Sequence, residues 1–248
     1  MRAILSAAER IATADVCVLI IGEKGTGKEL LARYIHGSST RAERPFVRVD
    51  CHDLASARGG SRLAGALAQD GDVSMADALC ERARGGTLFL DQLGAFGAET
   101  QARLLTSLLS RAASTDMRVL ASRDPGVALP NCLAAMGLAL VEIPVPALRQ
   151  RRSDIPILVE HFLQLYVARH AVPPRRIDTE AMVQLWQYDW PGNVRELESV
   201  VERVVVLSRS GVIRTADLPP HICKLGKSGD TPRGNGNGCA VSTAALRY

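Results

Sequence analysis

The 248-residue sequence has no long apolar run, no strong excess of charge of one sign and no closely spaced cysteines. No stretch reaches the length a bilayer demands, so no membrane-spanning helix is expected here. Met1 to Cys17 is amphipathic, interrupted by Glu9, Arg10 and Asp15, and lacks the apolar centre of a signal peptide. A net charge of +4 is too small to argue for nucleic acid by itself. The six cysteines (Cys17, Cys51, Cys80, Cys132, Cys223 and Cys239) are scattered without metal-ligand spacing. Cys51 and His52 are adjacent, but two side chains do not make a metal site. Such thiol usage predicts a reduced, cytoplasmic protein. No internal repeat is visible.

What is present suits a folded α/β protein. Hydrophobic residues make up 47% and charged residues 23%, ordinary values for a soluble domain. The length allows one α/β domain and a smaller second one. Strand-like and helix-like segments alternate, which predicts a parallel sheet covered by helices. Val16 to Ile21 is a near-continuous apolar run, as expected of a strand buried on both faces. Lys28 to His36 reads as helix, Phe46–Val49 and Thr87–Leu90 as strands, and Thr100–Arg111 as a leucine-rich helix. Met117–Ala121 and Leu138–Pro144 complete the strands. Pro144 and Pro146 mark a boundary, beyond which Ile155–Ala168, Thr179–Gln187 and Asn193–Ser208 are helical. The expected organisation is an α/β domain over 1–145, an all-helical lid over 146–222 and a Gly/Ser-rich, disordered tail over 223–248.

Two motifs carry the chemistry. Gly22-Glu23-Lys24-Gly25-Thr26-Gly27-Lys28 fits G-x-x-x-x-G-K, after a strand and before a helix. Its glycines let backbone N–H groups turn inward on phosphate oxygens, and the helix N-terminus adds its dipole. Lys28 is expected to reach the β- and γ-phosphates of ATP. A ligand-free glycine turn would have no use for three glycines followed by a helix-opening lysine. Glu29 stands where Ser or Thr usually helps to hold magnesium. Gly85-Gly86-Thr87-Leu88-Phe89-Leu90-Asp91-Gln92 is an apolar strand ending in an acid; with the loop upstream, Asp91 becomes the expected magnesium (Mg) ligand.

Gly22–Glu29, Gly85–Asp91, Arg151-Arg152-Ser153-Asp154-Ile155-Pro156 and Trp190-Pro191-Gly192-Asn193-Val194-Arg195-Glu196-Leu197 together resemble the AAA+ domain of bacterial σ54-dependent transcription activators. The resemblance covers about residues 1–222. It implies a P-loop AAA+ α/β domain with a helical lid, a role in transcription regulation, and binding of ATP or ADP with Mg. In that family Glu29 is normal. The resemblance also implies that Arg195 senses bound nucleotide, and that the protein assembles with itself or an intact paralogue or engages σ54 RNA polymerase.

Departures from the family pattern narrow the expected function. The water-activating Glu after the magnesium-binding Asp is Gln92 here, and an amide cannot take a proton; a positioned general base is worth roughly 10²–10⁴ in rate. The Asn that holds that Glu in relatives corresponds to Asp50, so amide and carboxylate have changed places. The expectation is that Asp50 and Gln92 remain a hydrogen-bonded pair. Leu129 to Leu138, where relatives carry arginine fingers, has no arginine, and Arg123 is the nearest substitute. Ala121-Ser122-Arg123-Asp124 lacks the expected polar sensor Asn. Between Val47 and Leu88 there is no aromatic residue, so Ser61–Leu67 lacks the tip with which relatives grip σ54. No flanking regulatory or DNA-binding domain is read in the sequence, so direct DNA contact is not expected. These losses favour a subunit that binds nucleotide and hydrolyses it poorly. The alternatives are an ATPase completed by a finger in trans, with Asp50 as its only nominated base, and a scaffold that binds no nucleotide.

Overall fold

The computed structural model describes residues 2–56, 72–127, 140–208 and 210–223. The sequence readings at Ser61–Leu67, at Leu129–Leu138 and in the tail from residue 224 lie outside these.

Five parallel strands form one sheet: β1 (Cys17–Ile21), β2 (Phe46–Asp50), β3 (Thr87–Asp91), β4 (Arg118–Arg123) and β5 (Leu140–Pro144), in the order β2-β3-β4-β1-β5. The three central strands are the most continuously apolar because both of their faces are covered. β3 is buried along its whole length, whereas the edge strands β2 and β5 expose alternate residues. The two-residue strand period sorts the core into two clusters. Val18, Ile20, Phe89 and Leu120 face α1 (Arg2–Thr13) and α2 (Lys28–Gly37). Leu19, Leu88, Leu90 and Val119 face α4 (Asp72–Arg82) and α5 (Ala98–Thr115) on the other side; the short α3 (Cys51–Ser56) follows β2 directly. Arg118 fixes the first helix to this sheet. Its buried guanidinium donates to the carbonyls of Ile11 and Ala12 at 2.8 and 3.1 Å, satisfying acceptors that the end of α1 leaves open.

A third core uses only residues from 148 onward: α6 (Ile155–Arg169), α7 (Thr179–Gln187) and α8 (Asn193–Leu207) close around the fully buried Trp190, whose indole N–H donates to the Leu185 carbonyl at 2.8 Å. Asp178 caps α7 by accepting from Ala181 N at 2.7 Å. This part is not wholly helical, contrary to expectation. β6 (Arg176–Ile177) and β7 (Val212–Ile213) pair in parallel, and a two-residue strand is too short to leave a period in the sequence. The short α9 (Pro220–Cys223) ends the described chain.

Candidate functional site

In this strand order β1 lies beside β4, and the connection from β1 to β2 runs toward one edge of the sheet while that from β4 to β5 runs toward the other. The crevice beyond the carboxyl ends of the strands at such a switch point is where open α/β sheets bind ligands. The Gly22–Lys28 loop leaves β1 into that crevice. Gly25 and Gly27 have φ of +77° and +98°, the left-handed region that turns successive N–H groups to one side. A Cβ placed on Gly27 would meet nothing within 4 Å, so the mouth of the loop is open. No side chain caps the N-terminus of α2, which leaves its first-turn N–H groups for an anion.

Two cavities meet at Gly27, Leu30 and Val194. The first, of about 450 Å³, has a mixed wall that includes the charged and polar side chains of Lys24, Lys28, Asp91, Gln92 and Arg195. The second, of about 490 Å³, is mainly apolar, with Leu5, Leu31, Tyr34, Ile157 and Leu158 in its wall. Leu30 and Ile157 are 70% and 71% exposed, an apolar surface with no protein cover. The pair of cavities suits a ligand with a flat apolar end and an anionic end. The apolar half leaves no motif in the sequence, because its walls come from four separate helices.

Lys28 is buried at the bottom of the loop. Its Nζ donates to the Gly22 carbonyl, to the Glu23 carbonyl at 3.2 Å and to Asp124 Oδ1 at 2.8 Å. The ammonium is thus parked on its own loop, and an incoming phosphate would compete for it with a carboxylate that the sequence did not single out.

The loop is also gripped from behind by the lid. Asn193, fully buried at φ +53°, donates from Nδ2 to Glu23 Oε2 (3.1 Å) and the Lys24 carbonyl (3.0 Å), and its Oδ1 accepts from Leu148 N (2.8 Å). Val194 N donates to the Gly25 carbonyl at 2.9 Å, and Arg151 Nη2 to the Thr26 carbonyl at 2.7 Å. Arg149 forms a two-pronged ion pair with Glu23. Those hydrogen bonds, with that of Asn193 second, hold the Glu23 carboxyl down at about 2 from an ordinary 4.5. Arg195 itself lines the cleft with an exposed side chain, while its backbone N–H approaches the Gly25 carbonyl at 3.3 Å. Arg149, Arg151 and Asn193 flank or lie within recognisable motifs, yet their partners are loop carbonyls and the Glu23 carboxylate more than a hundred residues away, which no sequence pattern marks.

At the ends of β2 and β3 the expected arrangement is replaced. Asp50 pairs in register with Asp91, one residue short of Gln92. Its Oδ1 accepts from His52 N at 2.9 Å and Asp53 N at 3.3 Å, so it caps the turn into α3, and its Oδ2 lies 3.0 Å from Arg48 Nη2. The expected Asp50–Gln92 pair is therefore corrected: helix capping and an arginine satisfy the carboxylate instead. Gln92 has φ +58°, an uncommon conformation for a residue with a side chain. Its N–H donates to Ser122 Oγ at 2.9 Å, and that hydroxyl donates to Asp91 Oδ1 at 2.6 Å. Ser122 thus does the joining work at this end of the sheet. Arg123, the suggested substitute finger, is folded onto the Val127 carbonyl with Glu142 3.7 Å away.

Both oxygens of the buried Asp91 are engaged, Oδ1 by Ser122 and Oδ2 by Arg48 Nη2 at 2.8 Å. Arg48 Nε also meets Glu29 Oε2 at 3.1 Å. Burial works against the charge of this guanidinium, but the Asp91 hydrogen bond and the charges of Glu29, Asp91 and Asp50 outweigh it and raise its pKa above the usual arginine value. Magnesium takes ligands in near-ideal octahedral geometry and sheds water reluctantly. With the Asp91 oxygens bonded to a hydroxyl and a guanidinium, this arrangement does not fit the ion. Cys51, next to this cluster, is chemically quiet: burial, with the charges of Asp50 and Asp91, pushes its thiol up to about 12.

Residues 1–118 match the Sigma-54 interaction domain model and residues 149–234 the AAA+ ATPase lid domain model. The transcriptional regulatory protein ZraR of Escherichia coli K12 is 39% identical over 253 residues, covering 93% of this chain and 57% of ZraR. The regulatory protein AtoC of the same strain is 36% identical, covering 92% of this chain and 54% of AtoC. Among solved structures, NtrX from Brucella abortus in complex with ADP superposes with a TM-score of 0.71 at 28% identity, over 90% of this chain and 54% of that one; NtrX has also been solved in complex with ATP. The chain spans about half the length of the curated relatives it matches. No helix among the described residues is long and apolar enough to cross a membrane.

Proposed function

The chain belongs to the AAA+ family of bacterial σ54-dependent transcription activators, and from that premise we propose that it is a nucleotide-binding regulatory subunit that hydrolyses ATP poorly. The observation that carries this reading is the contrast within one cleft. The open, glycine-turned loop with Lys28 at its base suits a nucleotide's phosphates, and the adjoining apolar cavity suits its base. The relatives' ADP- and ATP-bound structure supports the same ligand. At the hydrolytic end, Gln92 stands in the place of a base, Asp50 is committed to a helix cap and to Arg48, and Arg123 is folded onto its own loop. Asp50 is therefore a poor replacement base, which weighs against a self-sufficient ATPase.

In this reading Gly22–Glu29 and Arg195 hold and sense the nucleotide, and the protein works in the cytoplasm on transcription through a partner of the same family or σ54 RNA polymerase. Bound nucleotide acts as a ligand that orders the lid against the α/β domain, not as fuel. A titration with ATP and with ADP tests it. The native protein should bind both, and Lys28→Ala should weaken binding by about tenfold or more, the loss of one charge-assisted contact. Equal affinity in the two proteins would leave the scaffold reading in place.

A further inference from the structure

Resting on the nucleotide-binding reading above, we propose that Arg48 does the work of the divalent cation in this cleft, so that the protein binds nucleotide without one. Three carboxylates from three different elements converge on this guanidinium: Glu29 from α2 at 3.1 Å, Asp50 from β2 at 3.0 Å and Asp91 from β3 at 2.8 Å. A solvated surface arginine has no reason to collect three acids, and one of these is the residue through which a magnesium ion would be held.

The strand register explains how Arg48 gets there. Its backbone lies level with Phe89, two residues before Asp91. At about 3.3 Å per residue the long side chain has to run roughly 7 Å along the strand to the carboxyl edge of the sheet, a reach that arginine has and shorter residues lack. There it meets the acids with a planar fork that is charged at every accessible pH.

A cation entering at Asp91 would find one oxygen bonded to Ser122 and the other to a positive group. It would meet the like charge of the guanidinium at the carboxylate it needs. The guanidinium puts a positive charge at the end of β3, against Asp91 and Glu29, two residues that line the cleft. It is also one-third exposed, and its Nη1 makes no hydrogen bond among the described residues, so donors remain for phosphate oxygens. A counter-charge for Asp91 is thus built into the chain, and it is fixed, with no ion to arrive or leave during a cycle. This suits a domain that holds nucleotide without turning it over.

The test is ATP affinity measured by calorimetry in excess EDTA and again in excess magnesium, for the native protein and for Arg48→Ala and Arg48→Lys. The native affinity should agree between the two buffers to within about threefold, whereas Arg48→Ala should be about tenfold or more weaker in EDTA and regain affinity with magnesium. Arg48→Lys, which keeps the charge on a shorter stem without the planar fork, should fall between the native protein and Arg48→Ala in EDTA. Strict dependence of the native protein on magnesium overturns the proposal, even if a variant fails to fold. Equal affinity of Arg48→Ala and native protein in EDTA overturns it as well. Absence of nucleotide binding in every buffer would instead strike at the nucleotide-binding reading itself, and this inference would fall with it.

Discussion

Glu23 sits in the phosphate loop but is held by the lid, through Arg149 and Asn193. Its carboxyl is depressed to about 2, so it binds protons less readily folded than unfolded. The stabilisation it contributes is complete above an ordinary carboxyl value of about 4.5 and is lost as the pH falls from there toward about 2. The expected outcome is that native protein and Glu23→Gln differ in urea midpoint at neutral pH and converge through that acidic window. A difference that stays constant from neutral to acid pH would show that the pair is not coupled to folding. The neighbouring residues show the limits of sequence reading. The loop glycines and Lys28 were legible because their place in the cleft follows from residue type and spacing, whereas the magnesium role expected of Asp91 does not fit its bonds to Ser122 and Arg48. Arg48, Ser122 and Asp124 were not, because each matters through a partner far away along the chain: 43 residues for Arg48 with Asp91, 31 for Ser122 with Asp91 and 96 for Asp124 with Lys28.

Elements bring those partners together, and their packing distinguishes two loop glycines that look alike in sequence. A Cβ on Gly25 would come within 2.3 Å of the Gly192 carbonyl oxygen at the start of α8, in a left-handed backbone. Gly27 has the same backbone demand and open space around it. Gly27→Ala should therefore cost only the strain of a non-glycine residue at positive φ, about 1–3 kcal/mol. Gly25→Ala should cost more, since either the loop or the α8 terminus must also move. Chemical denaturation of the two variants checks this, and equal losses would mean that the loop and α8 are not held in contact. The long elements were legible because a buried central strand and an amphipathic helix each have a period. The β6–β7 ladder was missed because two residues have none. The pairing of Asp50 with Gln92 was misread for a related reason: register sets Asp50 opposite Asp91, and a motif does not disclose register.

At the scale of the whole molecule, the lid and the α/β domain share one set of contacts on the phosphate loop. Asn193, Val194 and Arg151 bond to the carbonyls of Lys24, Gly25 and Thr26, leaving the loop's N–H side for the ligand. A ligand that binds this assembled form and not the unfolded chain must stabilise both parts together. At a hundredfold excess over its dissociation constant, ATP should add about 2.7 kcal/mol and raise the melting temperature on the order of 5–10 °C for a chain of this size. A single shifted transition is expected in a thermal melt; a shift confined to one of two transitions would separate the parts. Binding and turnover are then the two halves of the account, and they can be read from one sample. In a single-turnover experiment, labelled ATP is mixed with excess native protein, and the bound nucleotide is recovered after many minutes. The account predicts that it is recovered largely as ATP. Recovery as ADP and phosphate within seconds, the time scale of typical enzyme turnover at about 1–10³ per second or somewhat slower, would contradict it.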